Sequence, residues 1–298
     1  MTGTGFCTWE GKRLEGKVRI SADSTCDLSR ELIAAHNIAI APLYISMNGR
    51  SYRDGVDISP DDLFENVARG GKTASTSAVN VEDYRQLFGA MRAQCEGIVH
   101  FTISSEMSAC YQNACLAASE MENVFVVDSR NLSTGIGHLV LDAAEMAGRG
   151  CCAEEIFRAM EAKKARLDVS FVVDTLDYLR LGGRCSALAA LGANLLSLKP
   201  CIEVREGVMG VGKKYRGRLE HCLSKYVADR LANPDEIDDS RLFITDSGVS
   251  DGLYQAVRAE VDRHMAFREV LHTRAGCTIS NHCGPNCLGL LFYKKDKG

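Results

Sequence analysis

Four stretches of the chain carry residue types able to do chemistry. Ser104-Ser105 follows an almost unbroken apolar run from Ile98 to Ile103. It precedes Met107, Cys110, Tyr111, Ala114, Ala117, Ala118 and Met121 at helical spacing. The pattern reads as a buried strand, a turn and a helix whose first N–H groups and hydroxyls favour an anion such as a carboxylate or phosphate. A serine at this place serves equally well as the helix cap. Gly248-Val249-Ser250-Asp251-Gly252 matches the G-x-S-x-G nucleophile elbow between a strand and a helix. Too few residues follow Ser250 for the acid, histidine and later strands of such a hydrolase, so a glycine-rich helix entry explains the match better. Gly207 to Lys214 begins like a phosphate loop, but Lys214 stands where Ser or Thr would hold Mg²⁺, and the stretch falls in an expected hairpin. Cys277, His282, Cys283 and Cys287 are metal-ligating types in no standard zinc spacing, so no metal site is expected. His282 is placed in a loop before the last strand, where its imidazole can donate to an anion.

The elements that must position these residues read as alternating strands and helices, and hence as mostly parallel sheets covered on both faces. Residues 1–16 are expected to be a poorly ordered leader, 17–166 an N-terminal α/β domain, and 167–298 a second α/β domain. The second has a mixed sheet and a hairpin at Cys201–Val204 and Val208–Val211. Ser59-Pro60-Asp61-Asp62 predicts a capped helix start, and Asn48-Gly49 a type I′ turn. A helix is also expected over Ala187–Leu198. Strands end in Asp23-Ser24, Asp128-Ser129, Asp174-Thr175 and Asp246-Ser247, the end of an open sheet at which ligands gather; each pair is also a good helix cap.

With 298 residues, 46% hydrophobic and 25% charged, the chain has an ordinary globular composition. A net charge of −4 gives no basic footprint for nucleic acid. Lys213, Lys214, Arg216 and Arg218 form the densest basic cluster, read as a solvated face or a surface for an anionic head or acidic partner. Thirteen scattered cysteines, an odd count, fit a reducing cytoplasm, and no stretch approaches the roughly 20 apolar residues of a membrane-spanning helix.

Taken in order, Ala22-Asp-Ser-Thr-Cys-Asp-Leu28, Thr76-Ser77, Ile103-Ser-Ser-Glu-Met-Ser-Ala-Cys-Tyr-Gln112, Tyr178-Leu-Arg-Leu-Gly-Gly-Arg184, Lys199-Pro200, Arg216-Gly-Arg218 and His282-Cys-Gly-Pro285 with Gly289 resemble the DegV family. Its better-understood members are fatty-acid-binding subunits of bacterial fatty acid kinase. The resemblance spans Val18 to Tyr293. It implies two α/β domains closing around one long-chain fatty acid, with no catalysis and no cofactor of the chain's own. Thr76, Ser104 or Ser105, and His282 would hold the carboxylate, and Arg184 would sit near the head-group mouth. A separate ATP-dependent kinase subunit would phosphorylate the bound acid. The chain departs from the family at Thr76-Ser-Ala-Val-Asn-Val81, often Thr-Ser-Gln-Pro-Ser-Pro, and at Met107-Ser-Ala-Cys-Tyr-Gln112, often Leu-Ser-Gly-Thr-Tyr-Gln. Glu106 is expected to point away from the ligand, since Met107, Cys110 and Tyr111 mark the buried face and an inward carboxylate would repel an acid. The alternatives are a serine hydrolase using Ser250 and a regulatory module sensing a small anion.

Overall fold

The computed structural model describes residues 18–183 and 198–296, so the expected leader, Arg184 and nearly all of the expected Ala187–Leu198 helix lie outside the described residues. The chain begins with β1 (Val18–Asp23), α1 (Arg30–Ala35), β2 (Ala39–Ala41), β3 (Tyr44–Met47), β4 (Arg50–Arg53), α2 (Pro60–Ala68), β5 (Ser75–Ser77) and α3 (Val81–Arg92). It continues with β6 (Gly97–Thr102), α4 (Cys110–Ala118), β7 (Val124–Asp128), α5 (Thr134–Gly148) and α6 (Ala153–Lys163). The remainder is β8 (Leu167–Val172), α7 (Asp177–Gly182), β9 (Leu198–Arg205), β10 (Val208–Arg216), α8 (Leu219–Arg230), β11 (Ile237–Asp246), α9 (Asp251–His264), β12 (Val270–Arg274), α10 (Cys277–Cys283) and β13 (Leu288–Lys294).

The expected α/β architecture is present. A parallel sheet runs in the order β2-β1-β6-β7, with Ile20 of β1 opposite Val99 of β6. All six residues of β6 are buried, as the continuous apolar run requires of a strand covered on both faces. A six-stranded mixed sheet, β10-β9-β8-β13-β11-β12, takes every strand from Leu167 onwards, and only β11 and β12 pair in parallel. The hairpin extends further than expected, from Leu198 to Arg216, and turns at Glu206-Gly207, both with positive φ. One buried core joins the two sheets, running from Ile20, Ile98 and Phe101 through Ile136 and Leu139 on α5 to Phe171, Ile202 and Leu291.

Two features differ from the sequence reading. The apolar stretch Ile38–Ser46, which by sequence reads as one strand, is broken at Pro42 into β2 and β3, because proline supplies no N–H to a ladder. Its second piece founds a small antiparallel sheet, β4-β3-β5, in which Ile45 faces Tyr52 on one side and Thr76 on the other. His282 lies on a helix, α10, not in a loop. Elsewhere local signals hold: Asn48 and Gly49 have φ of 53° and 76°, as a type I′ turn needs, and Ser59 with Asp62 forms a capping box ahead of Pro60.

The two halves are stitched by buried polar groups. Asp27, φ 50°, accepts the Ser133 hydroxyl at 2.6 Å and the Gly276 N–H at 2.8 Å. Burial pushes its carboxyl up to about 8, against the lowering effect of those two hydrogen bonds, and the nearby Asp54 adds to the rise. Burial pushes His138, packed between Phe243 and Tyr293, down to about 4. Their effects on stability have opposite signs. The raised Asp27 value gives stability that is complete below its ordinary pKa and lost as pH rises through about 8, whereas His138 opposes folding as pH falls below its ordinary 6.5. Above that value Asp27 acts alone, with a slope approaching ~1.4 kcal/mol per pH unit for one full proton. Denaturant melts should therefore show stability falling between pH 6.5 and 8, and Asp27→Asn should flatten that fall; an unchanged slope in the variant would show that Asp27 does not carry the proton.

Candidate functional site

A cavity of about 220 Å³ lies where β5, the turn after β6, the hairpin and α10 meet. Its wall is largely apolar, with Leu43, Ile103, Met107, Leu132, Met209 and Ile279, and its polar groups are Thr76, Ser77, Ser108, Thr278 and His282. Leu132, Ile279 and Cys283 also line a second, inner cavity of about 20 Å³ against β8, β11 and β13. These three side chains thus form a waist between an outer and an inner space. A larger cleft, about 590 Å³, is bounded by Asp168, Glu203, Arg230 and Lys294, but those charges pair with one another: Arg230 with Asp168 and Glu203, Lys294 with Asp168 at 2.8 Å.

Of the residues singled out in the sequence, Thr76 and His282 are brought together. Thr76 Oγ1 and His282 Nε2 are 2.8 Å apart across 206 residues, and both line the cavity. Thr76 is placed by the pairing of β5 with β3, His282 by the last turn of α10. Gly182, in the Tyr178–Arg184 motif, explains why no side chain is tolerated beside the imidazole, since a Cβ there would run into His282 Nδ1.

Ser104 and Ser105 do not line this cavity. The helix that they were expected to open begins only at Cys110, after a turn. Ser104 is fully buried and donates to the Gly207 carbonyl at 2.8 Å, and Arg130 reaches the Glu206 carbonyl, so the hairpin turn is fastened to the N-terminal sheet. The strand just beyond that turn carries Met209, which covers the cavity. Ser105 donates to Asp128 Oδ2 at 2.6 Å. Glu106 turns to Arg130 Nη1 at 3.0 Å, away from the cavity. The hydroxyl in this segment that does face the cavity is Ser108, which the sequence reading passed over although it stands in the quoted Met107–Gln112 motif.

The remaining candidates have structural employment. Ser250 caps α9, accepting the Leu253 N–H at 3.3 Å, and among the described residues no histidine bonds its hydroxyl, so the nucleophile-elbow alternative is a helix entry. Asp23 accepts Tyr84 Oη at 2.6 Å and the Ile103 N–H at 3.1 Å, Asp128 holds Ser105, and Asp246 holds the Gly248 N–H at 2.6 Å and His272 Nε2 at 2.6 Å. Three of the four strand-end acids therefore fasten loops. Asp174 pairs with Lys199. Cys277 Sγ donates to the Ile58 carbonyl, and no cluster of metal-ligating groups occurs among the described residues. In the basic cluster Lys213 pairs with Asp229 at 2.7 Å. No helix among the described residues is long and apolar enough to cross a membrane.

The family model described as an uncharacterised protein of the DegV family matches residues 17–295. The chain belongs to the DegV family. DegV domain-containing proteins of Caldanaerobacter subterraneus and Deinococcus radiodurans are 30% and 32% identical, over 94% and 92% of this chain and 99% and 97% of theirs. Among solved structures, a fatty-acid-binding DegV protein from Thermus thermophilus is similar with a TM-score of 0.87 at 29% identity, covering 94% of this chain and all of the other. A stearic-acid-binding protein from Eubacterium ventriosum gives 0.80 at 28% identity, covering 93% and 98%.

The placement of Ser104 separates two roles. If it fastens the hairpin, Ser104→Ala should lower stability by roughly 1–2 kcal/mol, the cost of leaving the buried Gly207 carbonyl without its donor. Calorimetric melts check this, and a variant as stable as the wild type would show that Ser104 does not hold the turn.

Proposed function

We propose that this DegV protein binds one long-chain fatty acid, with its carboxylate at Thr76 and His282 and its tail in the apolar cavity. On this reading it presents the acid to a separate ATP-dependent kinase subunit for acyl-phosphate formation, without catalysing a reaction itself. The observation that carries the reading is an apolar cavity whose wall holds one hydroxyl–imidazole pair contributed by opposite ends of the chain. With its proton on Nε2, the imidazole donates to Thr76 Oγ1 and leaves the hydroxyl hydrogen for a carboxylate. Ser77 and Ser108 add hydroxyls within the same wall. Arg184 keeps its assignment near the head-group mouth from the family resemblance alone.

Head and tail contribute differently. Burying about fourteen methylenes at about 0.8 kcal/mol each gives a gross gain on the order of 10 kcal/mol, reduced by association and ordering costs. Hydrogen bonds to the carboxylate largely offset its desolvation and so fix which end faces the polar pair. A small anion would leave Leu43, Ile103, Met107 and Met209 without a partner, which disfavours the anion-sensing alternative. The fatty-acid-binding relatives from Thermus thermophilus and Eubacterium ventriosum support the tail assignment.

Organic extraction of the purified protein followed by mass spectrometry should release a long-chain fatty acid, or the emptied protein should take one up when offered. If the protein neither releases nor takes up a fatty acid, the proposal falls. Replacing Thr76 by valine and His282 by alanine together should weaken acid binding about tenfold or more, since charge-assisted bonds are the stronger class. The kinase step is checked by ATP-dependent acyl-phosphate formation with a fatty acid kinase subunit, which should require this chain.

A further inference from the structure

The helix that carries His282 packs against α7 of its own half, but its first turn is capped by a residue from the other end of the chain. Asp54, 3% exposed, follows β4 and accepts the N–H groups of Cys277 and Thr278 at 2.8 and 3.1 Å and the Thr278 hydroxyl at 2.6 Å. Those are the first two residues of α10, whose amides have no partner within the helix. Cys277 Sγ donates to the Ile58 carbonyl and Asn281 Nδ2 to the Ala74 carbonyl at 2.9 Å.

Asp54 and Thr76 belong to one rigid unit. Asp54 donates its N–H to the Leu43 carbonyl at 2.8 Å, Ser24 Oγ donates to Asp54 Oδ2 at 3.1 Å, and the Leu43 N–H donates to Ser24 Oγ at 3.1 Å. Leu43 leads into β3, and β3 pairs directly with β5 at Ile45 and Thr76. The sheet β4-β3-β5 therefore grips α10 twice: at its start through Asp54, and near its end where Thr76 meets His282. Ile45, Ile58, Leu63 and Cys277 fill the space between sheet and helix, so the two are packed as one body. At a rise of about 1.5 Å per residue the five steps from Cys277 to His282 span about 7.5 Å, and a tilt at the first end displaces the second. The Thr76–His282 separation of 2.8 Å has little room for displacement before it ceases to be a hydrogen bond.

We infer that Asp54 is the positioning residue of carboxylate recognition: without touching the ligand, it sets, through α10, the point at which His282 meets Thr76. The inference rests on the fatty-acid reading and deepens it, because it assigns selectivity for acids to a side chain outside the cavity wall. Its consequence is specific. Disturbing Asp54 should cost the acid more than a neutral lipid of the same length, since both use the same tail space and only the acid needs the aligned pair.

The test compares hexadecanoic acid with hexadecanol on the full chain, by direct titration of wild type, Ser24→Ala, Asp54→Asn and Asp54→Ala. Melting without ligand selects the variants that remain folded. The acid-to-alcohol affinity ratio should fall in that order, by about twofold for Ser24→Ala, which removes one donor to Asp54 outside the cavity wall and keeps both α10 amide bonds, and about tenfold or more for Asp54→Ala. A wild-type ratio retained in folded Asp54 variants overturns the positioning role while leaving fatty-acid binding intact. If Asp54→Ala and Asp54→Asn unfold, Ser24→Ala still decides, because an unchanged ratio in that variant also overturns the role. A wild-type protein that binds acid and alcohol equally overturns the inference together with the head-group reading.

Discussion

Two carboxyl groups withdrawn from water need hydrogen-bond partners, and the chain meets them with the N–H groups where it enters α10. Asp27 takes Gly276, and Asp54 takes Cys277 and Thr278. Each side of this contact would be costly alone: a buried acid without hydrogen bonds, or a helix start with unsatisfied amides. Together they cancel, and in doing so join residues separated by more than two hundred positions. The approach is close: a Cβ at 276 would stand 3.1 Å from Asp27 Oδ1, so a side chain there would have to push the carboxyl aside by a few tenths of an ångström. The cavity depends on this contact, because α10 supplies Thr278, Ile279, His282 and Cys283 to its wall.

The hairpin contributes Met209 to the cavity wall and is held in two ways: β9 pairs with β8 in the six-stranded sheet, and the turn is fastened by Ser104 and Arg130, hydrogen bonds of about 1 kcal/mol each in net effect. The sheets are held by their strand ladders and a shared core of buried aliphatic and aromatic side chains, which includes Ile202, Val204 and Met209 of the hairpin itself. The polar contacts at the turn thus set where the end of the hairpin lies, while sheet and core hold the wall it forms.

Much of the fold was legible because its signals are local. The unbroken run Ile98–Ile103 required a covered strand, Pro60 after Ser59 a helix start, and Asn48-Gly49 and Glu206-Gly207 turns. The third strand of the small sheet, β5, and the helix α10 were not, for one shared reason. Cys277 to Cys283 is seven residues long, with Thr278, Ser280 and Asn281 among its poor helix formers, and its cap is Asp54 rather than anything nearby in sequence. β5 is three residues paired to a strand some thirty positions earlier. The same limit misplaced the serines. Their residue type suited an anion, but the partners that occupy them, Gly207 and Asp128, lie 103 and 23 residues away. Thr76 and His282 came from a family resemblance, since nothing local to either residue announces the other.

The charges of the described residues give a physical reason for a cavity wall without lysine or arginine. Apart from His282, the described residues that line the cavity carry no ionisable acid or base able to pair with a carboxylate, and Asp54, outside the wall, is occupied by donors from Cys277 and Thr278. A buried lysine or arginine facing the ligand would hold the acid tightly, but would stand as an uncompensated charge whenever the acid left, a penalty of several kcal/mol. A hydroxyl that bonds an imidazole at 2.8 Å keeps a partner when the acid leaves. On the fatty-acid reading, recognition by such donors gives up affinity at the head and lets the tail supply it. Selectivity then resides in the geometry of Thr76 and His282, which meet where α10 ends.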